Sequence, residues 1–438
     1  NPHSEASRFM PVCLSQYDNL HRDRPDLRSA VTFVPNKTTP IHRWYKYNQG
    51  FAMDLVVALL HDLDVSKTDV VLDPFAGSGT TCLTCRQNGI PSIGIEISPL
   101  MVWVASTKVR RWNPKDLRQM LSAFSPPEPK NCRNLNYENS IFAKYLTKAY
   151  SIGILRQLWS IAEYIDSMNL SASLHSFLKL GMLSIMEDVS QIRKHGSHYR
   201  FMLRPESIGL QKLNTPIISP DSDIRYILIS RLEEMIADTV ANPMSTPLAM
   251  CKIQTADARS CDIESESVDV VITSPPYLNR NNYIAQQKAE LAILSLVEST
   301  EQYHDLVDQT IRSHVEGQFK SGNAGSTFPE VQIIVDALSL TKNNNPKIPH
   351  MIAAYFDDLA ATFRELWRIM RSGGRAAFVV GNSRWGGVVV PVDHLLLKLA
   401  EDIGFKPERV LVTRLKGNSP QQMRQYGRIP VRESIIVF

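Results

Sequence analysis

The stretch that most constrains the fold is "DVVLDPFAGSGTTCLTCRQNG", from Asp69 to Gly89. It has the pattern of a short buried strand, a glycine-rich turn and a helix that ends at Gly89. The next stretch, "PSIGIEISP" (Pro91 to Pro99), has the pattern of a second strand with an acidic residue near its end. Strand, glycine-rich loop, helix and strand in this order begin a doubly wound parallel sheet, so the sequence predicts an α/β fold.

Strand patterns return late in the chain, at Met250 to Ala258 and at Ser267 to Tyr277. A helix at about Ile352 to Met370, a strand at Ala376 to Asn382 and further elements after Gly404 complete the sheet. Between about Pro114 and Pro247, long helical periodicities replace the strands. We therefore predict four segments: an N-terminal arm (1–39), a first part of the core (40–113), a helical insertion (114–249), and a second part of the core (250–438) with a mobile polar loop (320–349).

Composition excludes several classes of protein. With 438 residues, 43% hydrophobic and 21% charged, the chain is typical of globular proteins with a large core. The net charge of +4 is too small to imply a nucleic-acid partner by itself, so such an argument needs local patches. Six scattered cysteines without a signal peptide indicate a reducing, cytoplasmic compartment. No apolar run reaches the roughly 18 residues of a membrane span.

Two groups of potential metal ligands stand out, and neither predicts a metal site. Cys82 and Cys85 form a lone C-x-x-C with no second pair at zinc spacing. His195 and His198 also lack companion ligands nearby. Two thiols on a buried helix face explain the cysteine pair better. We predict no metal.

The glycine-rich turn "AGSGTT" (Ala76 to Thr81) lacks the lysine of a phosphate-binding loop and the third glycine of a dinucleotide fingerprint. It offers close backbone approach at Gly77 and Gly79 beside the carboxylate of Asp73. That combination suits a ligand with an ammonium group better than a pyrophosphate.

Two further acids follow later strands. Glu96, at the end of the second strand, is placed to accept from two ribose hydroxyls. Asp257, after the third, is placed to accept from an adenine amino group. Each alone could be a solvated carboxylate at a strand end. Together with Asp73 they predict a pocket for a nucleoside with an attached amino acid, which describes S-adenosylmethionine.

A fourth strand runs directly into "ITSPPYLN", Ile272 to Asn279. Pro275 and Pro276 remove two backbone donors, fix both φ angles and forbid a helix. The backbone after Ser274 is therefore held in a rigid extended turn. The pair could serve only to terminate the strand, or it could present the Ser274 hydroxyl and the Pro275 carbonyl to a substrate.

"DPFAGSGTT" (Asp73 to Thr81) together with "TSPPY" (Thr273 to Tyr277) resembles the exocyclic-amino DNA methyltransferases, most closely the cytosine-N4 branch. "PIHRWYKYNQGF" (Pro40 to Phe51) is similar to the family's segment that covers the cofactor. The resemblance covers roughly residues 40 to 110 and 250 to 438. It implies a class I S-adenosylmethionine-dependent methyltransferase, with a Rossmann-like sheet and a large helical insertion.

The resemblance also implies functional residues. In the family the glycine loop binds the methionine part of S-adenosylmethionine, which leaves as S-adenosylhomocysteine, and the Ser-Pro-Pro-Tyr loop holds the target base. The implied catalytic residues are Ser274, Pro275, Pro276 and Tyr277. The implied cofactor-binding residues are Trp44, Asp73, Phe75, Gly77, Gly79, Thr80, Glu96 and Asp257.

The order of the motifs departs from many cytosine-N4 enzymes, in which the tetrapeptide precedes the glycine loop. Here the tetrapeptide follows the loop by about two hundred residues. The sheet would be the same, but the position of the target-recognition region stays open, with the helical insertion as the candidate.

For contact with DNA, "QIRKHGSHYRFMLR" (Gln191 to Arg204) contains basic residues and no acid, with His198, Tyr199 and Phe201 interleaved. A solvated helix end is the alternative interpretation. Aromatic residues among cations favour phosphate contact. The predicted DNA-binding residues are Arg193, Lys194, Arg200 and Arg204, and also Arg424 in a later polar loop.

The resemblance predicts transfer of a methyl group to cytosine N4 in double-stranded DNA, with the base flipped out of the duplex. Adenine N6 in DNA, an amino group in RNA, and a non-catalytic DNA-binding subunit are the alternatives. The expected setting is the cytoplasm of a bacterium or archaeon. A cognate restriction or defence-system protein is a candidate partner, and a membrane is not.

Overall fold

The structure is a computed structural model, and it describes residues 11–438 except 132–139, 196–197, 202–221, 245–246, 317–318, 320–324, 342–344 and 418–419. Within these residues, eight strands form one sheet in the spatial order β1-β11-β12-β8-β7-β2-β3-β6. The strands of this sheet are β1 (His21–Asp23), β2 (Val71–Asp73), β3 (Ser92–Glu96), β6 (Cys251–Thr255), β7 (Val268–Thr273), β8 (Met370–Gly381), β11 (Arg409–Lys416) and β12 (Val431–Val437). Two hairpins lie outside it: β4 (Ile192–His195) with β5 (His198–Phe201), and β9 (Ser383–Trp385) with β10 (Val388–Val390).

Most pairings in the sheet are parallel. Strand β2 pairs in parallel with both β3 and β7, β3 with β6, and β7 with β8. Strand β12 runs antiparallel to its neighbours β8 and β11. The carboxyl ends of β2, β3, β6 and β7 therefore meet at one edge of the sheet, where ligands of open α/β sheets bind. The predicted α/β fold with a mostly parallel sheet is confirmed.

The described helices cover both faces of the sheet and form the insertion. Those of the core are Met53–Asp62, Thr80–Gln87, Pro99–Lys108, Lys288–Ile293, Thr300–Gln309, Pro329–Ser339, Ile348–Ile369, Val392–Ile403 and Pro420–Tyr426. Those of the insertion are Pro114–Ala123, Ala143–Ala149, Ile152–Ser167, Ala172–Met186 and Arg225–Ala241.

The insertion packs on the core instead of folding beside it. One hydrophobic cluster contains Leu83 and Met101 from helices next to the sheet, together with Leu158, Phe177 and Leu232 from insertion helices. Burial of this shared apolar surface stabilises the two parts jointly. The described residues of 114–249 form helices with a β-hairpin between them, and their apolar side chains belong to a cluster that they share with the core.

The N-terminal arm is part of the sheet, which corrects the prediction of an irregular arm over residues 1–39. Its strand β1 pairs in parallel with β11, with His21 opposite Val410. Leu14 and Tyr17 are buried, and the Tyr17 hydroxyl donates to Glu401 over 2.6 Å. Scattered apolar residues in the arm thus anchor it to the core. Residues 1–10 lie outside the described part.

The predicted polar loop 320–349 contains a helix, Pro329–Ser339. Its side chains Val331, Ile334, Val335 and Leu338 are buried at helical spacing. Helix Pro329–Ser339 packs against Ile348–Ile369, so the prediction of a mobile loop is wrong for this part.

Among the helices that the structure describes, none combines the length and the apolar character that a membrane crossing requires.

Candidate active site

The glycine loop connects β2 to the helix Thr80–Gln87. Gly77 has φ 49° and Gly79 has φ 82°, backbone conformations that residues with a side chain rarely adopt. A Cβ on Gly77 would lie 2.7 Å from Tyr47 Cε1, and a Cβ on Gly79 would lie 2.8 Å from Ala105 Cβ. The two glycines therefore have different roles. Gly77 allows the loop to approach Tyr47, and Gly79 allows the helix to pack against Pro99–Lys108.

A buried lysine supports the loop from behind. Lys108 is fully buried, and its Nζ donates to the Ser78 carbonyl over 2.9 Å. Burial lowers the pKa of Lys108 to about 7, because the charged form loses its hydration. The lysine fixes the backbone of the loop at the residue between its two glycines.

Asp73 ends β2 and is 2% exposed. Its Oδ1 accepts a hydrogen bond from the Thr273 hydroxyl over 2.6 Å and another from the Phe75 amide over 3.1 Å. Burial raises the pKa of Asp73 to about 6, although these donors act in the opposite direction. An ammonium group beside this carboxylate would stabilise its charged form.

Glu96 ends β3 and faces the same loop. Its Oε2 accepts from the Gly77 amide and its Oε1 from the Ser98 amide, each over 2.9 Å. Burial raises the pKa of Glu96 in spite of these two donors. Each carboxylate oxygen keeps acceptor capacity beyond one amide hydrogen, so Glu96 can accept from hydroxyl groups of a ligand.

Asp257 follows β6 and is engaged by Arg259. Arg259 Nε lies 2.9 Å from Asp257 Oδ1, and Nη2 lies 2.7 Å from Oδ2. Asp358 holds the other side of the same guanidinium at 3.0 Å. Asp257 lies in the predicted place, but its carboxylate is already oriented by an arginine, which sequence reasoning did not foresee.

The Ser-Pro-Pro-Tyr turn follows β7 directly. The Ser274 hydroxyl donates to the Val379 carbonyl over 3.1 Å. The Tyr277 amide donates to the Tyr283 hydroxyl oxygen over 3.2 Å, and the Tyr277 hydroxyl donates to Glu433 over 2.9 Å. Burial and the Glu433 carboxylate raise the pKa of Tyr277, which keeps the phenol protonated. Hydrogen bonds to β8 and β12 thus hold the first and the last residue of the turn.

A single cavity joins these parts. It contains about 990 Å³ of empty space, part of which is open to solvent. Ten of the residues predicted from the sequence line it: Asp73, Phe75, Gly77, Thr80, Glu96, Asp257, Ser274, Pro275, Pro276 and Tyr277. The acids and the glycine loop therefore lie in the same cavity as the tetrapeptide. An acid for an ammonium group, an acid for hydroxyls and a glycine cradle fit S-adenosylmethionine.

Two predicted cofactor residues do not line the cavity. Trp44 is buried elsewhere: its Nε1 donates to Asp238 over 2.9 Å, and its ring packs edge-on against Phe177. Gly79 packs against Ala105, as described above. Tyr47, Tyr283 and Gln287 line the cavity instead, and sequence reasoning missed them. Tyr47 belongs to the quoted segment Pro40 to Phe51, so this segment contributes an aromatic residue to the cavity, but at a position other than Trp44.

Most of the predicted DNA-binding segment forms the hairpin of β4 and β5, not a helix end. The Arg193 guanidinium donates to the carbonyls of Glu187 and Ile192, at 3.0 and 2.8 Å. Lys194 pairs with Glu290, and both side chains are largely buried. Lys194 is therefore a structural ion-pair partner, which corrects its assignment to phosphate contact. Arg200 lies in β5, and Arg204 lies outside the described residues. Arg424 is exposed on the helix Pro420–Tyr426.

A small cluster of potential metal ligands lies where the arm joins the core. Asp18, His21 and His394 each place one such atom within 4.8 Å of the others. His21 Nε2 and His394 Nε2 lie 2.8 Å apart, and Arg432 Nη2 lies 3.3 Å from His394 Nε2. With a guanidinium directed at this nitrogen, the cluster is a hydrogen-bonded contact between arm and core.

Comparison with known proteins gives a consistent result. A family model for N6/N4 methyltransferases, described as "DNA methylase", matches residues 38–105. The chain is 29% identical to the type II methyltransferase M.BsoBI of Geobacillus stearothermophilus, over 94% of this chain and 88% of that protein. It is 28% identical to the type II methyltransferase M.AvaI of Nostoc sp., over 99% of this chain and 94% of that protein. It is 20% identical to the type II methyltransferase M.MvaI of Kocuria varians, over 87% of this chain and 86% of that protein.

Proposed function

The chain belongs to the exocyclic-amino DNA methyltransferases, and on this premise we propose that it methylates N4 of cytosine in double-stranded DNA. That it is a DNA methyltransferase using S-adenosylmethionine follows from the family. The target atom is the proposal. The observation that carries it is Ser274, which lines the same cavity as Asp73 and Glu96.

When bound, S-adenosylmethionine supplies an electrophilic methyl group. We assign Asp73 to its ammonium group, Glu96 to its ribose hydroxyls and Asp257 to its adenine amino group. Gly77 brings the loop backbone close to the ligand, with Phe75, Thr80 and Tyr47 as the adjoining wall. Asp73 is buried, Glu96 is partly buried, and both carboxylates have raised pKa values, so cationic and hydroxyl partners would offset the cost of their desolvation.

An exocyclic amino nitrogen attacks poorly because its lone pair is delocalised into the base. We assign Ser274 and Pro275 to counter this. The Ser274 hydrogen is directed to the Val379 carbonyl, so the lone pairs of its oxygen remain available as acceptors. Pro275 cannot donate, and its carbonyl is a second acceptor. Two acceptors on the amino hydrogens would draw the nitrogen toward tetrahedral geometry and aim its lone pair at the methyl group.

Tyr277 is assigned to the target base. A paired base cannot reach a cavity at the edge of a sheet, so the proposed reaction requires the cytosine to leave the duplex. Tyr277 lines the cavity together with Ser274, and we assign its ring as the stacking surface for the base. Stacking of a base on an aromatic ring contributes about 1–3 kcal/mol, which offsets part of the unstacking cost.

The same geometry can serve adenine N6, which is the second candidate. Serine at position 274, where Asp or Asn would favour the adenine branch by resemblance, is the feature that supports cytosine. An RNA amino group is a weaker candidate, because the relatives are type II methyltransferases and the chain itself matches a DNA methylase model. A non-catalytic subunit would have no reason to keep Asp73, Ser274 and Tyr277 around one cavity.

The proposed setting is the cytoplasm of a bacterium or archaeon, with a cognate restriction or defence-system protein as a candidate partner. The helical insertion remains the proposed target-recognition region, and Arg193, Arg200 and Arg204 belong to it. Arg424 is a separate proposed phosphate contact, exposed on a helix next to β11.

Mass spectrometry of nucleosides tests the target atom. Unmethylated DNA is incubated with the purified chain and S-adenosylmethionine, digested, and analysed for N4-methylcytosine and N6-methyladenine. The proposal predicts N4-methylcytosine. N6-methyladenine would assign the chain to the adenine branch, and a methylated RNA with unmodified DNA would support the RNA alternative. The variant Ser274→Ala is the control for activity from a contaminating enzyme.

A further inference from the structure

Glu433 is a buried carboxylate next to the proposed base site. It lies on β12 directly opposite Gly381 of β8, and 1% of its surface is exposed. A buried charge of this kind requires partners, because burial without them is strongly unfavourable. The identity of those partners indicates what the residue does.

Three donors converge on Glu433. The Tyr277 hydroxyl donates to Oε1 over 2.9 Å. Arg414 Nε and Lys416 Nζ, both from the neighbouring strand β11, contact Oε2 and Oε1. Two cations and one phenol therefore surround one carboxylate, and the charge of Glu433 is compensated by residues other than the tyrosine. The hydroxyl of Tyr277 is not needed to neutralise the carboxylate. Its hydrogen bond to Glu433 instead holds the Tyr277 ring in one orientation.

The Tyr277 ring is constrained from two further directions. Lys416 Nζ lies over the ring, 5.1 Å from its centroid, within the range of a cation–π contact. A Cβ on Gly381 would lie 3.1 Å from Tyr277 Cε2, so the ring rests against a residue without a side chain. Lys416 and Gly381 thus restrict the positions that the ring can take.

We propose that Glu433 is a positioning residue for the target base: it fixes the Tyr277 ring through the hydroxyl, with Arg414 and Lys416 as its counter-charges. This inference rests on the proposed function, in which Tyr277 stacks on the flipped base. A ring that is already held in one orientation loses less conformational freedom when the base binds. Glu433 acts on DNA binding and turnover through Tyr277 and does not contact the cofactor.

The test uses Tyr277→Phe, Glu433→Gln and the double variant. Tyr277→Phe keeps the ring and removes only the hydroxyl. The DNA substrate is a duplex that carries the site found by methylation sequencing. We expect each single variant to lower kcat/KM for DNA by about three- to tenfold, the range expected for one lost or weakened hydrogen bond. Since both changes break the same contact, the double variant should be no worse than the poorer single one.

Two measurements separate positioning from a general structural role. The dissociation constant of S-adenosylmethionine, from calorimetry, should stay within about twofold of wild type, since sites without shared partners usually couple only weakly. Fluorescence of 2-aminopurine at the target position reports the flipped base, and it should be reduced in Tyr277→Phe and Glu433→Gln alike. Glu408→Gln is the matched control, because this carboxylate precedes the same strand β11 and its side chain is 53% exposed. It should behave as wild type.

Wild-type kcat/KM and wild-type fluorescence in Tyr277→Phe would overturn the inference. So would additive losses in the double variant, because they would mean that Glu433 acts through Arg414 and Lys416 and not through Tyr277. Failure of the proposed function looks different: the wild-type chain itself would then bind S-adenosylmethionine and transfer no methyl group to DNA.

Discussion

The Thr273 hydroxyl donates a hydrogen bond to Asp73 Oδ1 over 2.6 Å, although 200 residues separate the two in sequence. Thr273 is the residue before the Ser-Pro-Pro-Tyr turn, and Asp73 is the last residue of β2, the strand that leads into the glycine loop. Because β7 and β2 are parallel neighbours, the two motifs begin at the same point of the sheet. This contact connects the part of the cavity assigned to the cofactor with the part assigned to the base.

The two acids of the cofactor site should contribute separately. Asp73→Ala and Glu96→Ala each remove a charged acceptor from a buried ligand donor. We expect each to weaken S-adenosylmethionine binding by about 1.5–3 kcal/mol, or roughly ten- to hundredfold. Calorimetric titration measures the effect, with circular dichroism as the check on folding. Wild-type affinity in both variants would remove the proposed cofactor site.

Cofactor binding should depend on pH through Asp73. Its pKa is raised to about 6 by burial, so the carboxylate takes up a proton as the pH falls through 6. A neutral carboxyl pairs poorly with an ammonium group, so affinity should decrease below about pH 6. Thr273→Val removes the donor that favours the charged form and should move the onset of this decrease to higher pH. Titrations between pH 5 and 8 would show this, and an identical pH profile in Asp73→Asn would contradict it.

The glycine loop should tolerate no side chain at Gly77. Gly77→Ala combines a positive φ with a Cβ 2.7 Å from Tyr47, which lines the cavity. Gly373→Ala is the matched control, because Gly373 has φ 79° and no atom of the described residues lies within 4 Å of a Cβ placed there. Each change should cost about 1–2 kcal/mol in unfolding free energy from backbone strain. Gly77→Ala alone should also weaken the binding of S-adenosylmethionine, and equal affinity in both variants would show that Tyr47 is not part of the site.

Lys194 and Arg424 should have different roles, the first in the stability of the fold and the second in DNA binding. Lys194→Gln leaves the buried Glu290 without its partner and should destabilise the fold by about 3–5 kcal/mol, as in other broken buried pairs. Arg424→Gln should leave the melting temperature unchanged and reduce the slope of log K for DNA against log salt by about 0.9. Thermal unfolding measures the loss of stability, and DNA binding at several salt concentrations measures the change in slope. If the Lys194→Gln variant is as stable as wild type and its salt slope is reduced, Lys194 contacts DNA and is not a structural residue.

The sequence contains enough information for the motifs and for the sheet that carries them. Strand β7 and the turn after it follow from five apolar or β-branched residues and two prolines, which are local signals. The pairing of Lys194 with Glu290, 96 residues away, is a tertiary contact and leaves no local signal. Trp44 and Tyr47 are equally aromatic, and only the path of the backbone decides which of them faces the cavity. The helix Pro329–Ser339 did have a signal, since Val331, Ile334, Val335 and Leu338 recur at helical spacing between polar stretches.

The most direct test of the central claim is methyl transfer to duplex DNA by Ser274→Ala and Tyr277→Ala, with cofactor titrations on the same preparations. If Ser274 accepts from the target amino group and Tyr277 stacks on the flipped base, turnover should fall in both variants while S-adenosylmethionine affinity stays nearly unchanged. Loss of stacking should also weaken the productive DNA complex of Tyr277→Ala roughly five- to hundredfold. A mismatched or abasic partner opposite the target should partly restore DNA binding in that variant, because it lowers the cost of unstacking. Methylation of DNA at the wild-type rate by both variants would contradict the account, and the two prolines would then serve only to end a strand.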